Sequence, residues 1–100
     1  MSLHWNPMLR VTIIGPSMEP TLGNGQVWLA LRGRWHIRVN DMIVFCHPER
    51  PELLEAKRLV SKGPEGWWVE GDNQEVSTDS RSFGAIAPEM VRAKIWRRMS

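Results

Sequence analysis

The segment 15–22 presents one small hydroxyl, that of Ser17, between residues that force a sharp turn. It follows an apolar, β-branched run, and the glycine and prolines around the serine bend or restrict the backbone. A serine held on such a turn can be aimed at a carbonyl carbon. Turn chemistry alone favours an ordinary β-turn, however, and a serine nucleophile also needs a base.

The candidate bases are three histidines and a lysine. His4, His36 and His47 have no carboxylate at a suggestive local position, although a Ser-His-Asp triad does not require closeness in sequence. Lys57 lies in a mostly apolar stretch, and burial lowers a lysine pKa. Moving that pKa from about 10.4 to neutrality disfavours the ammonium by roughly 4 kcal/mol. Lys57 is the preferred base, with a triad and an ordinary surface lysine as alternatives.

The segment 71–84 is dense in small polar residues, which favours an ordered loop bonded to its own backbone. Asp79 and Arg81 can pair within it, contributing under about 1 kcal/mol if the pair is exposed. The functional interpretation places a hydroxyl of this loop beside Lys57. A hydroxyl can orient a neutral amine, whereas a nearby carboxylate would raise the lysine pKa.

Together the three stretches resemble the motifs of the type I signal peptidase family, which are serine proteases with a Ser/Lys dyad. The matching residues are Ser17-Met18-Glu19-Pro20-Thr21-Leu22, Lys57-Arg58-Leu59-Val60, Gly71-Asp72-Asn73 and Ser77-Thr78-Asp79-Ser80-Arg81. The resemblance implies that Ser17 is the nucleophile, Lys57 the general base and Ser77 the hydroxyl that orients the lysine. It also implies a set of residues that brace the site, namely Asp79, Arg81, Gly71, Asp72 and Asn73.

One departure from the family affects the oxyanion hole. Some members carry a hydroxyl two residues before the nucleophile, where this chain has Gly15. The oxyanion is then expected to rest mainly on backbone N–H groups, including that of Ser17, and one such donor contributes about 3 kcal/mol. An extended substrate is expected to add an edge strand beside the residues Leu9, Val11, Ile13 and Gly15.

The resemblance leaves the substrate open. No window approaches the roughly 18 apolar residues of a membrane span, and the family's usual N-terminal anchor and large insert are not in the sequence. On these grounds the chain is most similar to the branch that matures nickel-containing superoxide dismutase by removing a leader. The alternatives are a minimal signal peptidase that acts on secretory precursors, and a non-catalytic peptide-binding module. A cytoplasmic location is expected, or membrane association if an N-terminal anchor has been removed.

Frequent turn signals between short apolar runs predict a mainly β chain. The predicted strands are 9–14, 26–32, 41–46, 55–61, 67–70 and 91–96. We expect one catalytic domain over residues 1–100, with a loose segment 1–7. The resemblance implies a twisted sheet like that of signal peptidases and SOS repressors, with little or no helix. Trp67 and Trp68 must face opposite sides of a strand, and Trp68 is predicted to be the core residue.

The charge and the cysteine content limit the classes of binding partner and ligand that the sequence suggests. A net charge of +2 does not favour nucleic-acid binding. The basic end of the chain predicts a solvated face of the last strand, or peripheral contact with an anionic lipid surface or an acidic partner. Cys46 is the one cysteine, which excludes an intramolecular disulfide. A metal site at Cys46 and His47 is disfavoured because adjacent strand residues point to opposite faces. No metal or cofactor is expected, and the partner is an extended segment of a precursor protein.

Overall fold

A single antiparallel sheet forms the framework of this computed structural model, which describes residues 6–100. The strands are β1 (Met8–Thr12), β2 (Val27–Arg32), β3 (Met42–Cys46), β4 (Leu54–Gly63), β5 (Gly66–Glu70) and β6 (Val91–Arg98). Their order in the sheet is β1-β2-β6-β3-β4-β5. The helical elements of the described residues are a single turn, α1 (Ser80–Phe83), and a 3₁₀ turn (Pro88–Met90). The prediction of a mainly β fold with little helix is confirmed.

Two hydrophobic clusters pack against the sheet. One consists of Ile13, Met18, Leu22, Ala30, Val44, Ala93 and Ile95. The other consists of Ile37, Ile43, Phe45, Leu59, Trp67, Val69, Ile86 and Val91. The neighbours Ile43 and Val44 belong to different clusters because successive strand side chains point to opposite faces. Strand β3 is therefore covered on both faces, which explains its continuous run of apolar residues.

Strand β4 has an edge that is only partly paired. It pairs with β3 along residues 54–58 and with β5 along residues 58–63. Before Arg58, the edge that would face β5 therefore has no strand partner among residues 6–100. The turn that follows β1 lies beside this open stretch, since Ser17 hydrogen-bonds to Lys57 of β4. The fold thus brings together two segments that are 40 residues apart in the chain.

The predicted strands agree with the structure apart from their ends. Strand β4 is longer than expected and β1 ends at Thr12. The prediction for the tryptophan pair was wrong, because Trp67 is 9% exposed and packs in the core. Trp68 is half-buried on the other face, where its indole N–H donates to Glu70. A backbone bridge between Trp67 and Ile86 orients β5, and this contact is not visible in the local sequence.

The first residues of the chain are described only in part. His4 and most of the segment predicted to be loose lie outside the described residues. Pro7 and Asn6 both accept hydrogen bonds from Arg32, at 2.8 Å and 3.0 Å. Across residues 6–100, no helix has the length and apolar character needed to cross a membrane.

Candidate active site

The Lys57 amine and the Ser17 hydroxyl lie together at the open edge of β4. The distance from Lys57 Nζ to Ser17 Oγ is 2.7 Å, which is within hydrogen-bonding range. Lys57 is only 2% exposed, and Ser17 is half-buried. A proton can therefore pass between these two groups without an intervening water.

Burial lowers the pKa of Lys57, as a basic role requires. The carboxylates of Glu55 and Asp79 act in the opposite direction and raise it, but burial has the larger effect. Among the described residues, no carboxylate forms a salt bridge with the Lys57 amine, which would require an N–O distance of 4.0 Å or less. The lysine is thus shifted toward its neutral form, the form that can accept a proton.

The turn that carries Ser17 is shaped by Gly15. Its φ is +88°, a left-handed conformation that favours glycine. The Gly15 N–H donates to the Asn24 side chain at 2.8 Å. A side chain bearing a hydroxyl at this position would be strained, which gives a physical reason for the departure from the family pattern. After the serine, Met18 and Leu22 are buried and anchor the turn in one hydrophobic cluster.

The segment 71–73 holds the nucleophile turn from the other side. The backbone N–H of Asn73 donates to the Ser17 carbonyl at 2.9 Å, and its side chain donates to the Pro16 carbonyl at 3.1 Å. Gly71 packs so closely that an added Cβ would lie 2.6 Å from the Ser17 carbonyl oxygen and 2.2 Å from Ser77 Oγ. Any side chain at Gly71 would therefore displace the serine turn or the 77–79 loop.

Asp72 connects the serine turn to the lysine strand. It accepts two hydrogen bonds from the Arg58 guanidinium, at 2.6 Å and 3.1 Å, and a third from the Thr21 hydroxyl. The Arg58 hydrogen bonds lower the pKa of Asp72 below its usual range. Thr21 belongs to the turn segment and Arg58 follows Lys57, so this carboxylate links the segments that carry the two reacting groups.

Asp79 is the centre of a second network and is fully buried. It accepts hydrogen bonds from the Arg81 guanidinium at 2.8 Å and 3.0 Å, from Gly71 N–H at 2.9 Å and from Ser77 Oγ at 2.7 Å. Burial acts to raise its pKa, but these hydrogen bonds outweigh burial and hold the pKa well below its ordinary value. The backbone N–H of Arg81 also donates to Asp79, which caps α1.

The hydroxyl of Ser77 therefore donates to Asp79, and it makes no hydrogen bond to Lys57 within residues 6–100. Its lone pairs remain able to accept a hydrogen bond from an N–H of the amine. The role of Ser77 in orienting Lys57 stays a prediction.

Two backbone donors lie at the nucleophile. Neither Ser17 N–H nor Met18 N–H makes a hydrogen bond to a described residue. Sequence reasoning identified the Ser17 donor and missed that of Met18. Unpaired N–H groups next to a nucleophile are the type of donor that an oxyanion hole uses.

A groove with a volume of about 290 Å³ runs beside the pair. It is lined by residues 9–14, Ser17, Met18, Val44 and residues 54–56. Leu9, Val11 and Ile13, for which substrate contact stays a prediction, are part of this lining, whereas Gly15 is not. Sequence reasoning missed the opposite wall, the open edge of β4. The local sign of this wall in the sequence is the apolar residue Leu54, three residues before the lysine.

The histidines take no part in this arrangement where they are described. His36 Nε2 hydrogen-bonds to the Arg32 carbonyl, and His47 Nδ1 accepts from Glu49 N–H while its ring packs on Phe83. The structure therefore brings neither to Ser17. Over residues 6–100, no group of three or more His, Cys, Asp or Glu residues is placed to hold a metal ion.

Comparison with known proteins gives relatives of one kind. No protein-family model matches the chain. Mitochondrial inner membrane protease subunit 1 of Xenopus tropicalis is 34% identical, over 85% of this chain and 65% of the relative. The human subunit 1 is 30% identical, over 82% and 63%. Mitochondrial ATP-independent inner membrane protease subunit 1a of Arabidopsis thaliana is 32% identical, over 85% and 66%. The chain thus spans just under two thirds of the length of these relatives.

These relatives are protease subunits of the type I signal peptidase family. The names of these relatives agree with the protease class that the resemblance of the three motifs implies. None of these relatives is named as a superoxide dismutase maturation protease, so the nickel branch is not supported. The expectation of a cytoplasmic location is not supported either, because the relatives are named for an inner membrane.

Proposed function

We propose that this chain is the catalytic unit of a signal-peptidase-like serine endopeptidase with a Ser17/Lys57 dyad. The observation that carries the proposal is the 2.7 Å distance between Lys57 Nζ and Ser17 Oγ, with the amine only 2% exposed. A charged lysine in that position would be poorly solvated, and a neutral one is a competent base. The relatives support the same class of enzyme.

In this mechanism neutral Lys57 accepts the Ser17 proton as Oγ bonds to the scissile carbonyl carbon. The N–H groups of Ser17 and Met18 donate to the oxyanion, since no described residue occupies them. Lys57 then protonates the leaving amine as the peptide bond breaks, and a water molecule hydrolyses the acyl-enzyme with Lys57 again as base. The carboxylates of Glu55 and Asp79, which raise the pKa of Lys57, favour the transient ammonium.

The substrate is an extended segment that lies in the groove between β1 and the open edge of β4. Within the described residues, strand β1 pairs only with β2 and residues 54–57 pair only with β3, so both walls offer backbone groups that lack a strand partner there. A peptide bound as an added strand would form backbone hydrogen bonds with those groups, and its own N–H and C=O groups would be paired in the same way. The apolar side chains of Ile13, Met18 and Val44 line the same groove and would contact alternate residues of that peptide.

The substrate class we propose is a precursor protein with an N-terminal leader, processed at a membrane surface. The relatives' names support a membrane-associated precursor as substrate. They give no support to the maturation of nickel superoxide dismutase. Those relatives are also named as subunits, so we include a partner chain in the proposal. Peripheral contact with the membrane fits the exposed Trp96 and the adjacent Arg97, whose guanidinium lies 5.3 Å from the indole ring centre.

A serine-directed acylating probe tests the dyad. The wild-type protein is expected to be labelled at Ser17, as located by peptide mass. Lys57→Ala is expected to lose the labelling while its far-UV circular dichroism stays unchanged. Labelling of the wild-type protein no greater than that of a denatured control would instead support a non-catalytic peptide-binding module.

Two precursors test the substrate class. A secretory precursor and a leader-bearing nickel superoxide dismutase precursor are incubated with the enzyme, and the products are weighed by mass spectrometry. Trimming of the secretory precursor alone is expected. Trimming of the superoxide dismutase precursor alone would reverse the choice of substrate.

A further inference from the structure

Glu55 lies where two cavities meet beside the dyad. It lines the groove described above and also a second cavity of about 360 Å³. The residues around the second cavity are His47, Glu49, Arg50, Leu53, Glu55 and Thr78. Glu55 precedes Lys57 by two residues in β4, so the two side chains emerge on the same face of the strand. Glu55 is therefore at the boundary between the substrate groove and the neighbouring cavity.

The Glu55 carboxylate has no partner within residues 6–100. It is half-buried, yet it accepts no side-chain hydrogen bond and has no cation within 4.0 Å. The other charged groups of the second cavity, Glu49 and Arg50, are exposed and remain solvated. A peptide in the groove would remove more water from Glu55 than from either of them, and a carboxylate that loses water needs a compensating cation.

We propose that Glu55 is a specificity-determining residue that selects a Lys or Arg side chain in the substrate, next to the scissile bond. This inference rests on the proposed protease function and names a substrate class for the same site: leader peptides with a basic residue at that position. A neutral side chain over Glu55 leaves the carboxylate desolvated and unpaired. A basic one pairs with it and reaches water through the second cavity.

The competing interpretation is that Glu55 affects only Lys57. A carboxylate that merely tunes the base changes the rate for every peptide by the same factor. A specificity residue changes the ratio of rates between peptides that differ in charge. The ratio of kcat/KM values, measured with one enzyme on paired peptides, therefore separates the two interpretations.

The experiment uses a positional-scanning peptide set in which each position around the cleaved bond carries Lys, Gln or Glu in turn. With the wild-type enzyme, kcat/KM for Lys over Gln is expected to be about fivefold at one position, the size of a partly exposed ion pair. Glu55→Gln is expected to abolish the preference, and Glu55→Lys to reverse it in favour of Glu. Glu65→Lys is the matched control, because it makes the same charge change in the exposed β4–β5 turn.

The proposal is overturned if the Lys preference persists unchanged in Glu55→Lys. It is also overturned if the wild-type enzyme shows no Lys preference at any position. If only Glu55→Gln folds, loss of the preference supports the proposal and its retention refutes it. Ser17 labelling by the acylating probe checks each variant. If the proposed protease function itself is wrong, the result is different: the wild-type protein is neither labelled at Ser17 nor able to cleave any peptide.

Discussion

Replacing Gly71 by alanine tests whether the loop 71–73 positions the nucleophile. The added Cβ would lie 2.6 Å from the Ser17 carbonyl oxygen and 2.2 Å from Ser77 Oγ, whereas an ordinary contact begins near 3.4 Å. Relieving the first contact requires a shift of about 0.8 Å. The oxygen belongs to the backbone, so the serine turn must move and not merely a flexible side chain.

The size of the effect follows from this shift. If the Ser17 hydroxyl moved by the same amount away from Lys57, the 2.7 Å distance would lengthen to about 3.5 Å and the hydrogen bond would be lost. A misplacement of about 1 Å can cost 10²-fold in rate. Overpacking costs about 1–3 kcal/mol of stability, which outweighs the roughly 0.4–1 kcal/mol gained by replacing a glycine.

We therefore expect Gly71→Ala to lower kcat/KM, or the rate of Ser17 acylation, about 100-fold. Its free energy of unfolding, measured in urea, should fall by only about 1–2 kcal/mol. Gly63→Ala is the control, because a Cβ there would meet its nearest atom at 3.9 Å and its φ is not left-handed. This control is expected to retain both its activity and its stability.

Wild-type acylation by a folded Gly71→Ala protein would refute the reasoning. It would mean that the serine turn is not held in place by the close approach of Gly71. A loss of activity accompanied by complete unfolding would be distinguished by the urea curve, and the acylation rate would then be compared at a temperature where both proteins are folded.

Three further predictions concern charged groups. Lys57→Met is expected to abolish cleavage but to raise the free energy of unfolding at pH 7 by about 1 kcal/mol, measured in urea. Because the Lys57 pKa is lowered from 10.5, wild-type stability should rise with pH up to that value, and the variant should lose this slope. Glu55→Gln removes a charge that raises the Lys57 pKa, so the acidic limb of the kcat/KM profile should move to lower pH; an unmoved limb would contradict the coupling. Asp79→Ala leaves the Gly71 N–H unsatisfied and should cost about 2–4 kcal/mol of stability in urea. The Asp79 pKa is lowered in the folded protein, so its contribution is fully present above about pH 3.8. It is lost progressively as the pH falls from there through the folded-state pKa, and the two proteins should approach each other over that range.

Local sequence patterns were sufficient to predict which segments form the strands of the sheet. The alternation of residues 26–32 and the continuous apolar run of residues 42–46 predicted β2 and β3, because strand side chains alternate between the faces of a sheet. The frequent Gly and Pro turns between short apolar runs predicted that the chain is mainly β. Strand ends were less well predicted, since pairing with neighbours decides where β4 continues to Gly63.

The residue types also identified Ser17 and Lys57 as a pair worth testing. The chemistry of a lysine base demands apolar neighbours, and Lys57 was the lysine with that setting in the sequence. The three motifs then carried the resemblance to signal peptidases, and the relatives agree with it at the level of the family. The substrate could not be predicted in this way, because the motifs of the site determine the chemistry of cleavage and not which precursor is cleaved.

Contacts between distant segments were decided by the tertiary structure alone. The choice of Trp67 over Trp68 for the core depends on the bridge to Ile86, and the need for glycine at position 71 depends on the approach of Ser17. In the part of the chain that the structure describes, the open edge before Arg58 and the unpaired Glu55 carboxylate arise from how β4 meets its neighbours. Such features have no local signal because they are set by which surfaces the fold brings within a few ångströms of each other.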